Sequence, residues 1–368
     1  MSTISLTSDL RRKKWIREGL LQAASKSFWS PFTGLSKDYI IYQTNNENAA
    51  DGHTVVFDFD GNLSQKPVKG KETAFGKGEQ KKKFSDKLTV SRYRLVVDNG
   101  DKFDGKDIGD LSINEHADSR RKLGDLFVRF KDQAIFDTLS GITDNAATHV
   151  ISLSTFTYGD LLDIEKTLKT GRGFDTGGVR RPIEPFMLDD GRPVWLFVVD
   201  SAMAAKLKQD PGYQTLVIKA DVRGNNNRAI QGVIGKLGNL LIVEAPMFFG
   251  KTYTSTTPFD IGDSDIDIAG LRQYDVTNKA WTGQEGFDYN STLKSRGLLL
   301  GQAAGLLGMG KMPDYRFQES TDFGIKSESA LEVWMATKKT RLLAENGDYA
   351  EAKVTGIDWG VVAVDVTI

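Results

Sequence analysis

Cysteine is absent from the 368 residues, which removes disulfide frameworks, thiolate nucleophiles and Cys-ligated zinc or iron–sulfur centres together. Stability must then come from packing and association. Excess charge is lacking as well. The 48 basic and 49 acidic residues leave a net charge of -1, which argues against a dedicated nucleic-acid or membrane-surface binder while allowing local basic patches. Long apolar runs are missing. The most apolar stretches, "VWLFVVD" (194–200) and "GLLLGQAAGLLGMG" (297–310), fall well short of the roughly 20 residues that cross a bilayer. The first twenty residues hold no apolar core of signal-peptide type. The expectation is a soluble protein made in a reducing cytoplasm, with no membrane partner. The three histidines, His53, His116 and His149, lie in different segments without metal-ligand spacing, and no cofactor is expected.

What is present in unusual density is lysine, in "KPVKGKETAFGKGEQKKKFSD" (66–86), which holds seven lysines and three acids. It sits between two runs that read as strands, "TVVFDFDG" (54–61) and "KLTVSRYRLVV" (87–97), so about twenty polar residues hang from one hairpin. Such a flap buries little apolar surface and costs conformational entropy to order, so a partner should supply the missing surface. The candidate contact residues are Lys66, Lys69, Lys71, Lys77, Lys81, Lys82 and Lys83, with Phe75 and Phe84. Nucleic-acid binding would want more interleaved aromatics than these two. The balanced total charge favours the other reading, an arm laid over an adjacent identical subunit.

Residues 1–52 read as an arm. It carries the basic cluster Arg11, Arg12, Lys13 and Lys14, open to nucleic acid, to another subunit or to plain solvation, and the aromatics Trp15, Phe28, Trp29 and Phe32. These aromatics need a body or a neighbouring chain to dock on. From Ser112 the pattern turns helical, with Leu123, Phe127, Phe130 and Ala134 on one stripe. A helix over about 113–139 would span on the order of 40 Å at about 1.5 Å per residue. A second helix starts at the capping pair Thr157 and Asp160 and stops at Gly171. Then "VWLFVVD" reads as a buried strand and "SAMAAKLKQDP" as a short helix ended by Pro211, the start of a mixed α/β domain near residue 193. The C-terminal "AKVTGIDWGVVAVDVTI" reads as two strands around a turn at Asp358 to Gly360.

No active site is advertised. Gly305 to Lys311 meets the first part of a phosphate-loop pattern, but Met312 and Pro313 follow where a Ser or Thr and a helix are needed. A glycine-rich buried segment is the favoured reading. Asp263, Asp265 and Asp267 alternate like the start of a calcium loop, yet Ile268 and Tyr274 stand where glycine and glutamate belong. Arg172, Arg180 and Arg181 lie among glycines and could cradle phosphate; a flexible connection with arginines at a subunit contact is favoured.

The order of arm, hairpin flap, long helix, second helix and α/β domain resembles the Hong Kong 97-type major capsid protein of tailed phages. Within that class, "VVFDFDGNLSQKPVKGKETAFGKGEQKKKFSDKLTVSRYRLVV" is similar to the hairpin of the coliphage N-four-like family, with counterparts at Leu63, Val68, Gly70, Gly76 to Gln80 and Leu88 to Arg94. Further resemblance lies in "SRRKLGDLFVRFKDQAIFDTLSG", "RPIEPFMLDDGRPVWLFVVDSAMAAKLKQDP", "GLLLGQAA" and "STDFGIKSESALEV". The resemblance implies an α+β Hong Kong 97-type capsid fold: N-arm (1–52), E-loop hairpin (53–102), P-domain with spine helix (103–192), A-domain (193–324), and a return to the P-domain with C-terminal strands (325–368). It implies a non-enzymatic protein that assembles with itself as hexamers and pentamers around double-stranded DNA bound without sequence preference. Portal, scaffold and decoration proteins are further partners of such shells. The implied place is the virion capsid, assembled in the host bacterial cytoplasm. The alternatives are an encapsulin-like shell around protein cargo and, from another class, a nucleotide-dependent enzyme using Gly305 to Lys311.

Overall fold

The computed structural model describes residues 27–46, 50–60, 66–78, 83–101, 115–140, 148–171, 183–188, 191–199, 201–215, 233–244, 252–254, 273–275, 280–282, 293–321, 326–341, 343–344 and 358–367. Arg11 to Lys14, Trp15, Lys81, Lys82, Arg172, Arg180, Arg181 and the Asp263 to Asp267 run lie outside them.

The long periodic stretch forms helix α1, Glu115–Ser140, close to its expected bounds. Its stripe of Leu123, Phe127, Phe130 and Ala134 is buried. It packs across a six-stranded sheet. That sheet runs Thr33–Gly34, Ile41–Asn45, Gly305–Met309, Lys326–Lys339, Asp314–Thr321, with Ser91–Asp101 also paired to the central Lys326–Lys339 strand. Tyr93, Leu95 and Val97 join the α1 side of the core, whereas Arg92, Arg94 and Val96 on the opposite face are exposed. This is the two-residue period of a pleated strand with one buried face.

The sequence pattern reads "KLTVSRYRLVV" as one strand, and the structure divides it at Val90. Lys83–Thr89 pairs antiparallel with Thr54–Asp60 to make the flap hairpin, and Ser91–Asp101 enters the six-stranded sheet. The reason lies in the backbone of Val90. Its N–H donates to the His53 carbonyl and its carbonyl accepts from Gly52, both at 2.9 Å, so the chain is pinned where it changes sheets. The hairpin's inner side, Val55, Phe57, Phe59 and Leu88, closes over Leu306 and Trp334 on the face of the sheet away from α1.

Helix α2, Tyr158–Thr170, has the expected capping box of Thr157 and Asp160 and ends at Gly171 in the left-handed region. With helix α3, Ser201–Gln209, it covers one face of an eight-stranded sheet. The strand order is Val150–Leu153, Val361–Thr367, Leu293–Leu300, Pro193–Val199, Leu240–Glu244, Val233–Leu237, with two short strands paired off this path. Leu161, Ile164, Leu168, Met203 and Leu207 meet Trp195, Phe197 and Leu299 there. The alternate residues Val194, Leu196, Val198 and Leu298 join the core that holds α1. A strand buried on both faces needs a continuous apolar run, which is what "VWLFVV" supplies.

Pro211 does not simply stop α3. Helical backbone resumes at 211–215, where proline suits a first turn because its missing N–H would be unpaired anyway. At the C-terminus, Val361–Thr367 is a strand and Asp358 makes an isolated bridge with Arg341; the residues 352–357 expected as the other strand lie outside the described ones. The sheets also join segments drawn apart from sequence. Residues 305–321 pair in the α1 sheet, and 361–367 pair in the sheet under α2 and α3.

Candidate functional site

Gly305 to Lys311 is not a phosphate loop. Gly305–Met309 is an inner strand of the six-stranded sheet, and no helix follows it. Its glycines serve close packing: a Cβ at Gly305 would sit 3.0 Å from Leu139 Cδ2, and one at Gly308 would sit 2.8 Å from Leu88 Cδ2. Lys311 Nζ instead lies over the Trp334 ring, 5.6 Å from its centroid, a cation–π contact. Among the described residues no cluster of His, Asp or Glu could hold a metal ion. His53 is exposed and His149 is buried.

The flap is therefore the candidate site. Thr54–Asp60 and Lys83–Thr89 stay in register up to the pair Asp60 and Lys83, and the excursion begins beyond that pair. Lys66, Lys69, Lys71 and Lys77 are exposed, as is Lys83 at the root, and Phe75 is 95% exposed. Phe84 differs: it is half-buried against the hairpin's own apolar cluster, so it faces its own chain. Lys77 Nζ pairs with Glu72 Oε2 at 2.9 Å, an exposed contact of small energetic value.

A buried carboxylate fixes the flap's root to the body. Asp86 is fully buried. It accepts hydrogen bonds from Lys338 Nζ, from the Arg341 backbone N–H at 2.9 Å and from the Lys87 N–H at 2.7 Å. Next to it lies Asp358, also fully buried, which accepts from Arg341 Nε at 2.8 Å, Lys339 Nζ at 3.3 Å and the Thr148 N–H at 2.9 Å. Burial pushes the Lys339 ammonium down to about 8, with the Asp358 carboxylate opposing that shift. A third buried pair joins neighbouring strands of the eight-stranded sheet and reaches the end of α1. Arg296 donates to both carboxylate oxygens of Asp365, at 2.7 and 2.9 Å, and through Nη1 to the carbonyl of Ser140, at 2.9 Å, the last residue of α1. A guanidinium suits that place, since the carbonyls of a helix end are short of donors.

Phe28, Trp29 and Phe32 of the arm find their surface on their own chain. Trp29 is fully buried and donates through Nε1 to the Asp132 carbonyl at 3.0 Å, while Ser27 Oγ and the Phe28 N–H donate to the Asp132 carboxylate at 2.6 and 2.7 Å. Phe28 and Phe32 are half-buried against the same core. Of the two docking surfaces open in the sequence, body and neighbouring chain, the body takes Trp29 entirely. Desolvation raises the Asp132 carboxyl above its ordinary range, partly offset by its bonds to Ser27 and Phe28 and by the neighbouring Lys131.

Sequence reasoning missed the buried ions. Their signal was a lone charge inside an apolar strand, such as Arg296 before "GLLL" and Asp365 within "VVAVDV", because a charge in such a position needs a partner.

Residues 3–163 match a family model described as phage capsid protein. No curated protein matches the chain. Among solved structures, the capsid of Ralstonia phage GP4 superposes with a TM-score of 0.65 at 18% identity, over 99% of this chain and 94% of that one. The head of Helicobacter pylori bacteriophage KHP40 gives 0.66 at 17% identity, over 93% and 90%. The Cyanophage Pam1 capsid gives 0.60 at 14% identity, over 100% and 99%. This is the Hong Kong 97-type capsid fold. Within this fold the exposed lysine-rich excursion is held at its root by Asp86.

Proposed function

We propose that the chain is a major capsid protein, which assembles with copies of itself into the shell of a phage head. The observation that carries this reading is agreement of the fold from end to end with phage capsid chains at nearly equal length, together with a phage capsid family match over 3–163. The role is structural. Closed shells form through heterologous contacts that close on themselves, and here hexamers and pentamers would be the units. Its place is the virion capsid, around double-stranded DNA, with assembly in the host cytoplasm and portal, scaffold and decoration proteins as further partners.

In this reading the hairpin is the E-loop, α1 the spine helix and the sheet under α2 and α3 the A-domain. Lys66, Lys69, Lys71, Lys77, Lys81, Lys82 and Lys83 would meet acidic groups on the next subunit, and Arg11, Arg12, Lys13 and Lys14 would face DNA. The hairpin motifs favour a place beside the coliphage N-four-like family. A shell around protein cargo is not favoured, because the family match is to phage capsid protein.

The test is to trim the flap at its root. Because Asp60 and Lys83 are paired, residues 61–82 can be replaced by an Asn-Gly turn without cutting the strand that carries Asp86. The variant should keep the wild-type circular dichroism spectrum and fail to form shells in sedimentation velocity. Shells of normal yield and size from the trimmed chain would refute an assembly role for the flap.

A further inference from the structure

Phe75 stands apart from the other phenylalanines. Every other phenylalanine whose side chain is described is buried or half-buried, whereas Phe75 is 95% exposed. Within 66–78 the only residue with partial shelter is Val68, so the flap supplies no cover for the ring.

The backbone that carries the ring is nevertheless a formed turn. The Lys77 N–H donates to the Ala74 carbonyl at 3.2 Å, and Gly76 has φ +78°. A bond from the fourth residue to the first, with positive φ at the third, is the signature of a type II turn, in which glycine is the residue that takes that conformation without strain. Phe75 occupies the second position of that turn. The exposed Lys77 to Glu72 ion pair at 2.9 Å lies beside the turn and adds little to it. An aromatic carried on a formed turn loses little freedom on binding, and buried aromatics dominate the energy of protein interfaces.

We infer that Phe75 is the apolar anchor by which the flap grips a second copy of this chain, with the flap lysines steering the approach. This rests on the capsid reading above and names the contact that holds. Charge selects the occupant. Seven lysines against three acids give residues 66–86 a charge of +4, so in a chain of net charge -1 the remainder carries -5, and the rest of another copy is opposite in net sign to the flap. Exposed ion pairs are weak and screened by salt, so the lysines set rate and orientation, and the ring sets residence. A single-stranded nucleic acid is the poorer partner, because a lone aromatic makes no stacking platform.

The test uses full-length protein with Phe75→Ala, the triple variant Lys66→Ala, Lys69→Ala, Lys71→Ala, and a photo-crosslinking benzoyl-phenylalanine at position 75. Phe75→Ala should raise the protein concentration needed for shells about tenfold or more, with an unchanged melting temperature. The lysine triple should shift that threshold by about threefold or less and flatten its salt dependence. The crosslink should join two copies. A wild-type threshold for Phe75→Ala in a protein that forms shells overturns this inference alone, as does a crosslink to DNA or within one chain. If the wild-type chain forms no shells with its viral assembly partners, the capsid reading falls and this inference falls with it.

Discussion

Replacing Lys339 by methionine should change how stability depends on pH, with a sign set by the burial of its ammonium. Lys339 ends strand Lys326–Lys339 and is fully buried. Burial holds its folded pKa at about 8, against 10.5 for an unhindered lysine. Between these values the unfolded chain binds the proton and the folded chain does not, so raising the pH through that window stabilises the folded state. At about 1.4 kcal/mol per pH unit the full effect is about 3 kcal/mol. Methionine removes it while filling similar space. Asp358 keeps Arg341 Nε at 2.8 Å and the Thr148 N–H at 2.9 Å, so its carboxylate is not left unpaired. Urea unfolding of unassembled wild-type and Lys339→Met protein, each at about pH 7 and about pH 11, isolates the term, because every exposed lysine titrates alike in both. The stability difference, wild type minus variant, should rise by about 3 kcal/mol across that range. A flat difference would mean that Lys339 is hydrated and that the buried pair with Asp358 is misread.

Three further outcomes follow from named contacts. Trp29→Ala should cost about 3–5 kcal/mol, the range for a large buried side chain, and expose the arm to limited proteolysis; a change below about 1 kcal/mol would mean that the arm is not held by this ring. Arg296→Met strands the buried Asp365 carboxylate and removes a donor from the Ser140 carbonyl, so denaturant unfolding should show a loss of about 3–5 kcal/mol; Asp365→Asn in the same background should recover part of it. Asp86→Ala leaves the Arg341 N–H without its acceptor, at about 1–3 kcal/mol, and hydrogen exchange across 83–89 should quicken while α1 keeps its protection. Unchanged exchange there would show that the root of the flap is secured by its apolar side alone.

The helices and the inner strand could be read from the sequence because local rules decide them. Thr157 with Asp160 caps α2, Gly171 ends it, and the stripe from Leu123 to Ala134 marks the buried side of α1. The division at Val90 leaves a signal that the one-strand reading passes over, because the apolar alternation changes phase there, from Leu88 and Val90 to Tyr93, Leu95 and Val97; what pins it is the backbone of Gly52 and His53, far back in the chain. The buried ion pairs share that origin. Arg296 and Asp365 are 69 residues apart, and Asp86 meets the Arg341 N–H across 255. For the candidate site, exposure of the flap followed from its composition, but its limits did not. Lys83 begins a strand, Phe84 turns inward and Asp86 is an anchor, so the basic run ends inside folded structure. The arm's aromatics announced a need for a surface, and only the fold identified Asp132 and α1 as that surface.

Self-assembly is tested most directly by electron microscopy of the purified full-length protein, alone and with the other head proteins of its virus, alongside sedimentation velocity on the same samples. Closed icosahedral shells, or discrete hexamers and pentamers, with density for the flap lying on a neighbouring copy are the expected result. A chain that stays monomeric beside those head proteins would contradict the capsid role.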